Sequence, residues 1–369
     1  MIKAVFITNI PSPYRVDFFA YLQKHYPEYE FHIIFSGAGM ENRKWSVELA
    51  ELSHYHFLKS KTLIIRKRFD DRYVFLPVGV EKLLAEIKPD LVFAMEYNPT
   101  ILRAVHWCRK KRIPFISWTD GTLNSEKNIG KVQRLSRSYI IKRAAAFVAS
   151  STASKQAQIA YGADEKKSFL SYLTVDIQKY LREKEDYSGR ELLYVGSLIQ
   201  RKGLDLLLPA LAETSEDIHL TIVGEGQERE LLTEQAGKLG ITDRIRFLGY
   251  VEGEPLRELY HNADVFILPT REDCFGLVIL EAMCASLPVI SSKYADGAFD
   301  LVAEGENGYI VDPEDTHAFA EKIDQIFADE NRLKEMGTRS YERAHAFAFE
   351  EVAKGCIDAL CYVMGKAVR

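Results

Sequence analysis

The chain lacks the usual marks of a membrane-spanning, secreted or metal-centred protein. No stretch of its 369 residues approaches the ~18 uninterrupted apolar residues that a transmembrane helix requires. The apolar start soon meets Pro11 and Pro13, too short for a signal-peptide core, and is expected to form a strand. Cysteine is sparse and odd in number, at positions 108, 274, 284, 356 and 361, with no Cys-x-x-Cys. That argues against a disulfide framework or a structural zinc and points to a reducing, cytoplasmic setting. All but Cys274 are expected to be small buried hydrophobes. No Asp-x-Asp occurs, which removes the usual carboxylate pair for a Mg²⁺- or Mn²⁺-bound nucleotide. No repeat or low-complexity segment appears.

What is present is an ordinary folded composition: 47% apolar, 27% charged, 22 Gly and 12 Pro. The length suggests two domains. The net charge of −5 conceals an asymmetry, because residues 1–170 hold 27 Lys and Arg against 16 Asp and Glu, leaving 21 against 37 beyond them. The halves therefore carry +11 and −16. Basic clusters at 59–72, 109–112 and 127–143, interleaved with Phe69, Tyr73, Phe75 and Tyr139, suit an anionic lipid surface or a phosphorylated substrate; a solvated surface is the plainer alternative. Nucleic acid is not an expected partner.

Strands alternate with helical stretches throughout, the pattern of α/β folds built on doubly wound parallel sheets. Strands are expected at 4–10, 30–36, 90–95, 113–118 and 145–150, and again at 192–196, 219–223, 245–248, 265–268 and 288–291. Several are apolar runs without alternation, as strands buried on both faces should be. Leu204, Leu207, Leu208 and Leu211 follow helical spacing. Each half is thus a Rossmann-like sheet, with domains at 1–180 and 190–345 and a polar linker at 181–190. Residues 346–369 carry a further helix with Val352, Ile357, Leu360, Cys361 and Met364 on one broad face, which could complete the second domain.

Four segments carry candidate chemistry. In Leu192-Leu-Tyr-Val-Gly-Ser-Leu-Ile-Gln-Arg-Lys-Gly203, a strand ends at Gly196 and the cations Arg201 and Lys202 precede a helix, where open α/β sheets bind ligands and an Arg fork suits phosphate. Gly224-Glu-Gly-Gln-Glu-Arg229 lacks the third glycine of a dinucleotide fingerprint, so a tight turn bordering a nucleotide cleft is preferred to NAD or FAD binding. In Leu268-Pro-Thr-Arg-Glu-Asp-Cys-Phe-Gly-Leu-Val-Ile-Leu-Glu-Ala-Met283, a polar loop bearing Asp273 leads into a helix start at Phe275, Gly276 and Leu277 whose backbone N–H groups can face a phosphate. Glu281, in that helix, can accept hydrogen bonds from a ribose diol. The fourth, Ile116-Ser-Trp-Thr-Asp-Gly-Thr122, runs a strand into a turn at Asp120, which either carries chemistry or simply turns the chain.

Taken together, Asp273-x7-Glu281 with Phe275-Gly276 inside it, Arg201-Lys202-Gly203, Phe247-Leu248-Gly249 and Asn307-Gly308 resemble the retaining glycosyltransferases of the GT4 type, with the GT-B fold of two Rossmann-like domains facing a central cleft. The motifs span 190–345; over 1–180 the likeness is one of architecture. The resemblance implies that Arg201 and Lys202 bind the diphosphate of a UDP- or GDP-linked sugar, that Glu281 holds the ribose, and that Asp273, Cys274 and the backbone of Phe275, Gly276, Leu277 and Val278 contact sugar and phosphate. Gly196 and Gly224 would border the nucleotide, and Gly249, Tyr250 and Val251 would lie beside the base. It further implies that the C-terminal helix packs back on the first domain.

The sequence departs from the pattern at Asp273, one methylene shorter than the usual Glu, at Cys274, and at Ile10-Pro-Ser-Pro-Tyr-Arg15, which replaces a Gly-Gly loop and makes Ser12, Tyr14 and Arg15 the expected acceptor contacts. Where relatives carry a His, this chain offers Asp120. The implied protein is a cytoplasmic, peripherally membrane-bound, metal-independent transferase needing no cofactor, whose acceptor is a glycan, lipid-linked in the building of a surface polysaccharide. An inactive binding or partner subunit of the same fold and a sugar-nucleotide epimerase are the alternatives.

Overall fold

In the computed structural model, which describes residues 1–39, 48–65, 72–187 and 189–365, the chain divides into two compact units, Met1–Asp176 with Phe349–Arg369 and Ile177–Ala348.

Unit 1 is built on β1 (Ile2–Thr8), β2 (Tyr29–Phe35) and β3 (Tyr55–Phe57), then β4 (Lys59–Ile65), β5 (Arg72–Val78), β6 (Leu91–Met95), β7 (Phe115–Thr119), β8 (Ala146–Ala149) and β9 (Ser168–Leu170). Seven of them form one parallel sheet in the order β3-β2-β1-β6-β7-β8-β9, and β4 and β5 pair separately as an antiparallel hairpin. The inner strands are apolar on both sides because helices cover both faces. Phe6 centres one face, its ring 5.0 Å from Phe19, 5.7 Å from Phe31, 4.3 Å from Phe93 and 6.2 Å from Trp118. The first strand starts and stops two residues before expectation, since its pairing with β2 ends at Thr8 and Pro11 and Pro13 shape the next turn. The β4–β5 hairpin was not expected: Leu63, Ile64, Leu76 and Val78 stay exposed on it, so it carries no core pattern. Helix Phe349–Met364 packs on β8 and β9, burying Val352, Ala353, Cys356, Ala359, Leu360 and Cys361, while Ser171 Oγ donates to Val352 O at 2.9 Å.

Unit 2 contains β10 (Glu191–Val195), β11 (His219–Val223), β12 (Ile245–Gly249), β13 (Val265–Leu268), β14 (Val289–Ser292) and β15 (Gly308–Val311), parallel in the order β12-β11-β10-β13-β14-β15. The stretch expected to be a linker at 181–190 is instead part of this unit. The Arg182 N–H donates to Cys284 O at 3.0 Å, and buried Tyr187 donates from its hydroxyl to Ser286 O at 2.7 Å. Its polar sequence concealed one aromatic anchor.

Candidate functional site

The strand order of unit 2 reverses between β10 and β13, and open α/β sheets bind ligands at the carboxyl ends of the strands at such a reversal. The loop after β10 carries Arg201 and Lys202 and the loop after β13 carries Asp273, so the topology joins residues 71 positions apart. Lys202 Nζ lies 2.5 Å from Asp273 Oδ2, both side chains largely shielded at 14% and 17% exposure. Burial alone would raise the Asp273 carboxyl, but Lys202, with Arg201 and the Phe275 N–H, holds it below the usual carboxylate range. Arg201 turns Nη1 to Glu272 O at 3.0 Å, and its own carbonyl accepts from the Arg271 N–H and Thr270 Oγ1.

Glycine makes this junction possible. Gly203 is left-handed, with φ +72°, and a Cβ there would lie 2.0 Å from Pro269 O. Gly224, at φ +136°, would place a Cβ 1.9 Å from Gly196 O, while its N–H donates to Gly249 O at 2.7 Å. Gly196, Gly224 and Gly249 thus draw the loops after β10, β11 and β12 together by backbone contact. Tyr250, half exposed beyond β12, donates from its hydroxyl to Glu252 Oε2 at 2.6 Å.

The helix start differs from expectation. The N–H groups of Phe275 and Gly276 do not point at open space; they donate to Asp273 Oδ1 at 3.2 and 3.0 Å. Asp273 therefore uses one oxygen on the loop and the other on Lys202. The N–H groups of Leu277 and Val278, in the first turn of helix Leu277–Cys284, have no hydrogen-bond partner among the described residues. They are the backbone donors left for an anion. Glu281 accepts from the Tyr260 hydroxyl at 2.7 Å, and a Tyr180 hydrogen bond adds to it. Burial raises its carboxyl above the ordinary range, the two tyrosines opposing.

Sequence reasoning missed Tyr180 and Tyr260. It also missed the loop after β14, where Tyr294 O accepts from the Asp273 N–H at 3.0 Å and the Asp296 N–H donates to Asp273 O at 2.9 Å. Asn307 supports the fold, its buried side chain taking the Ala303 N–H at 2.7 Å. Cys274 is half-buried and the other four cysteines are buried; burial pushes the Cys108 thiol up to about 12.

Unit 1 gathers a second polar cluster. Arg15, buried, donates from Nη2 to Asp120 Oδ1 and Oδ2 at 2.6 and 2.7 Å, while Ser150 Oγ also donates to Asp120. Trp118 Nε1 steadies Ser150 at 2.9 Å. Asp120 is thus an ion-paired carboxylate rather than a plain turn residue. Ser12 is buried at the start of helix Pro13–His25, and burial raises the Tyr14 hydroxyl, with Arg15 opposing. Glu96, unmarked in the sequence, accepts the Asp120 N–H at 3.2 Å; burial first, and then the Asp120 charge, push its carboxyl up to about 7. Its only sequence signal was a carboxylate directly after an apolar strand. In the basic clusters, Arg66, Lys67, Arg68 and Phe69 lie outside the described residues. Arg137 is not a surface charge, being buried in an ion pair with Glu126, and Arg109 Nη1 donates to the Tyr139 hydroxyl at 3.0 Å. Among the described residues no group of three or more His, Cys, Asp or Glu could hold a metal ion, and no helix is long and apolar enough to cross a membrane.

Two parallel Rossmann-like sheets define the GT-B fold. Residues 177–343, nearly all of unit 2, match the family described as glycosyl transferases group 1. The chain is 30% identical over 231 residues to the D-inositol 3-phosphate glycosyltransferase of Corynebacterium urealyticum, covering 56% of this chain and 54% of that protein. It is 35% identical over 154 residues to the lipopolysaccharide core biosynthesis glycosyltransferase LpsE of Rhizobium meliloti, covering 42% and 43%. The matches span between about a third and just over half of the length of these curated relatives. In fold it is similar to Anabaena HepE in complex with UDP, with a TM-score of 0.78 at 19% identity over 98% of this chain and 99% of that one.

Proposed function

We propose that the protein is a retaining glycosyltransferase that moves a sugar from a nucleotide diphosphate, UDP- or GDP-linked, held by unit 2, to a glycan acceptor held by unit 1. The observation that carries this is the meeting of Lys202, Arg201, the free N–H groups of Leu277 and Val278, and Glu281 at the reversal point of the unit 2 sheet. The C1–O bond to the diphosphate breaks as the acceptor oxygen bonds to C1 from the same face. The acceptor proton passes to a phosphate oxygen, and the nucleoside diphosphate leaves. Lys202, Arg201 and the helix start oppose the charge that builds on the leaving group, which is where preorganised cations and dipoles lower a barrier. Glu281 holds the ribose. Asp273 acts by presenting Lys202 and bracing the loop, a different task from contacting the sugar. Structural relatives in complex with UDP and UDP-glucose support a nucleotide-sugar donor, the likeness to LpsE supports a lipid-linked glycan acceptor, and the basic excess of residues 1–170 supports meeting it at an anionic membrane surface.

Thermal shift with UDP, GDP and ADP, followed by consumption of the matching nucleotide sugars, tests the reading. One nucleotide should raise the melting temperature, and its sugar should be consumed at the same rate in EDTA. No shift and no consumption across the panel would refute the reading; loss in EDTA restored by Mn²⁺ would refute the metal-free mechanism.

A further inference from the structure

The turn that carries Arg201 and Lys202 is short. Gln200–Lys202 is a single 3₁₀ turn with two backbone bonds of its own, from the Lys202 N–H to Ile199 O at 2.9 Å and from the Gly203 N–H to Gln200 O at 3.2 Å. Such a turn is weakly held by itself, because its hydrogen-bond geometry is poor. What fixes it comes from the loop after β13. The Arg271 N–H donates to Arg201 O at 2.8 Å, and Arg271 Nη1 donates to Gln200 O at 2.7 Å. The same guanidinium grips Asp205, which lies just past the turn at the start of helix Leu204–Glu213, with Nη1 on Oδ1 and Nη2 on Oδ2, both at 2.7 Å. Neighbouring Thr270 adds its hydroxyl to Arg201 O at 3.0 Å. One residue thus brackets the turn from Gln200 to Asp205.

The surroundings of Arg271 suit this task rather than ligand binding. A bidentate Arg–carboxylate pair has a fixed geometry that a lysine cannot copy. Both Nη atoms donate to Asp205, and the other charges acting on the guanidinium, Glu314 and Glu228, are also carboxylates, so its counter-charge is already present. The two side chains are 23% and 35% exposed, and ion pairs open to solvent add little to global stability. Placement is what the pair contributes. It ties the loops after β10 and β13, the same two loops that meet again where Lys202 pairs with Asp273.

We infer that Arg271, gripped by Asp205, is a positioning residue for the diphosphate site, setting the Gln200–Lys202 turn so that Arg201 and Lys202 face the leaving group together, without touching the donor itself. This rests on the glycosyltransferase reading above. The test measures, on the full chain by titration calorimetry, the affinities of UDP, GDP and ADP and of uridine, guanosine and adenosine; the ratio of diphosphate to nucleoside affinity isolates what the turn contributes. Arg271→Lys keeps the charge and loses the fork, whereas Asp205→Ala keeps Arg271 and removes a negative charge from beside an anion site. If charge alone mattered, the first would change nothing and the second would tighten the diphosphate. Positioning requires otherwise: both variants should weaken the diphosphate about tenfold, the loss of one charge-assisted contact, and leave the nucleoside within about twofold. An unchanged or tightened diphosphate in either variant overturns the assignment. So does an equal fall in nucleoside affinity, which would make the pair a general support of unit 2. A wild type that binds none of these ligands is the separate failure of the parent reading, and removes this one with it.

Discussion

Replacing Lys202 by Met should cost stability as well as turnover, and the geometry sets the size. The 2.5 Å contact with Asp273 is largely shielded from water, so removing the ammonium leaves a carboxylate with little solvent to replace it. Breaking a fully buried pair costs about 3–5 kcal/mol, and an exposed pair contributes about 0–1 kcal/mol. With 14% and 17% exposure this pair falls between, at about 2–3 kcal/mol, because the Phe275 and Gly276 N–H groups still satisfy the other Asp273 oxygen. Asp273→Asn should cost about 1–2 kcal/mol, since an amide oxygen can keep those two bonds while Lys202 loses its counter-charge. In the double variant neither charge is stranded, so the costs should fall short of additivity by about 1 kcal/mol or more. The pH dependence has a definite sign. Asp273 is held low in the folded state, so its contribution is present above the unfolded value of about 3.9 and is lost as pH falls through the folded value. The Lys202→Met deficit should therefore be full at pH 7 and shrink in strong acid. Urea unfolding of the four proteins, followed by far-UV circular dichroism, reads all three quantities. Additive costs at pH 7, within about 0.3 kcal/mol, would refute a formed, shielded pair.

Glu281→Gln should raise the donor KM more than it lowers turnover, and wild-type donor affinity should weaken on acidification as the raised Glu281 carboxyl takes up a proton, a slope the variant lacks; steady-state kinetics across pH 5–8 checks both. Burial first, and then the charges of Asp120 and Glu126 with Arg15 opposing, push the folded Glu96 carboxyl up to about 7 from an ordinary 4.5, so the native state loses stability as pH rises between these values. Glu96→Gln should accordingly gain on the order of 2 kcal/mol over wild type at pH 8 and little at pH 5, as urea titrations would show. Sedimentation with liposomes should rise with anionic lipid and fall between about 50 and 500 mM salt. No binding at low salt would leave the basic surface a solubilising one.

The sequence by itself determined the α/β architecture and marked the segments on which the donor-site proposal rests. Strands covered on both faces leave apolar runs that need no partner to be recognised, and the segment 268–283 contains its own strand, loop and helix start. Only the tertiary structure decided which partners each group in those segments meets. Asp273 read as a neighbour of free N–H groups until the loop closed on its own carboxylate and Lys202 arrived from 71 residues away. Tyr260 reaches Glu281 across 21 positions, and Arg15 reaches Asp120 across 105. Glu96 is one glutamate among many until the end of β6 sets it, with a left-handed backbone, beside Asp120. Local patterning records which face of an element is buried. Which polar atoms are paired and which are left unsatisfied depends on segments that meet only when the sheet is assembled, and that remainder is where ligands bind.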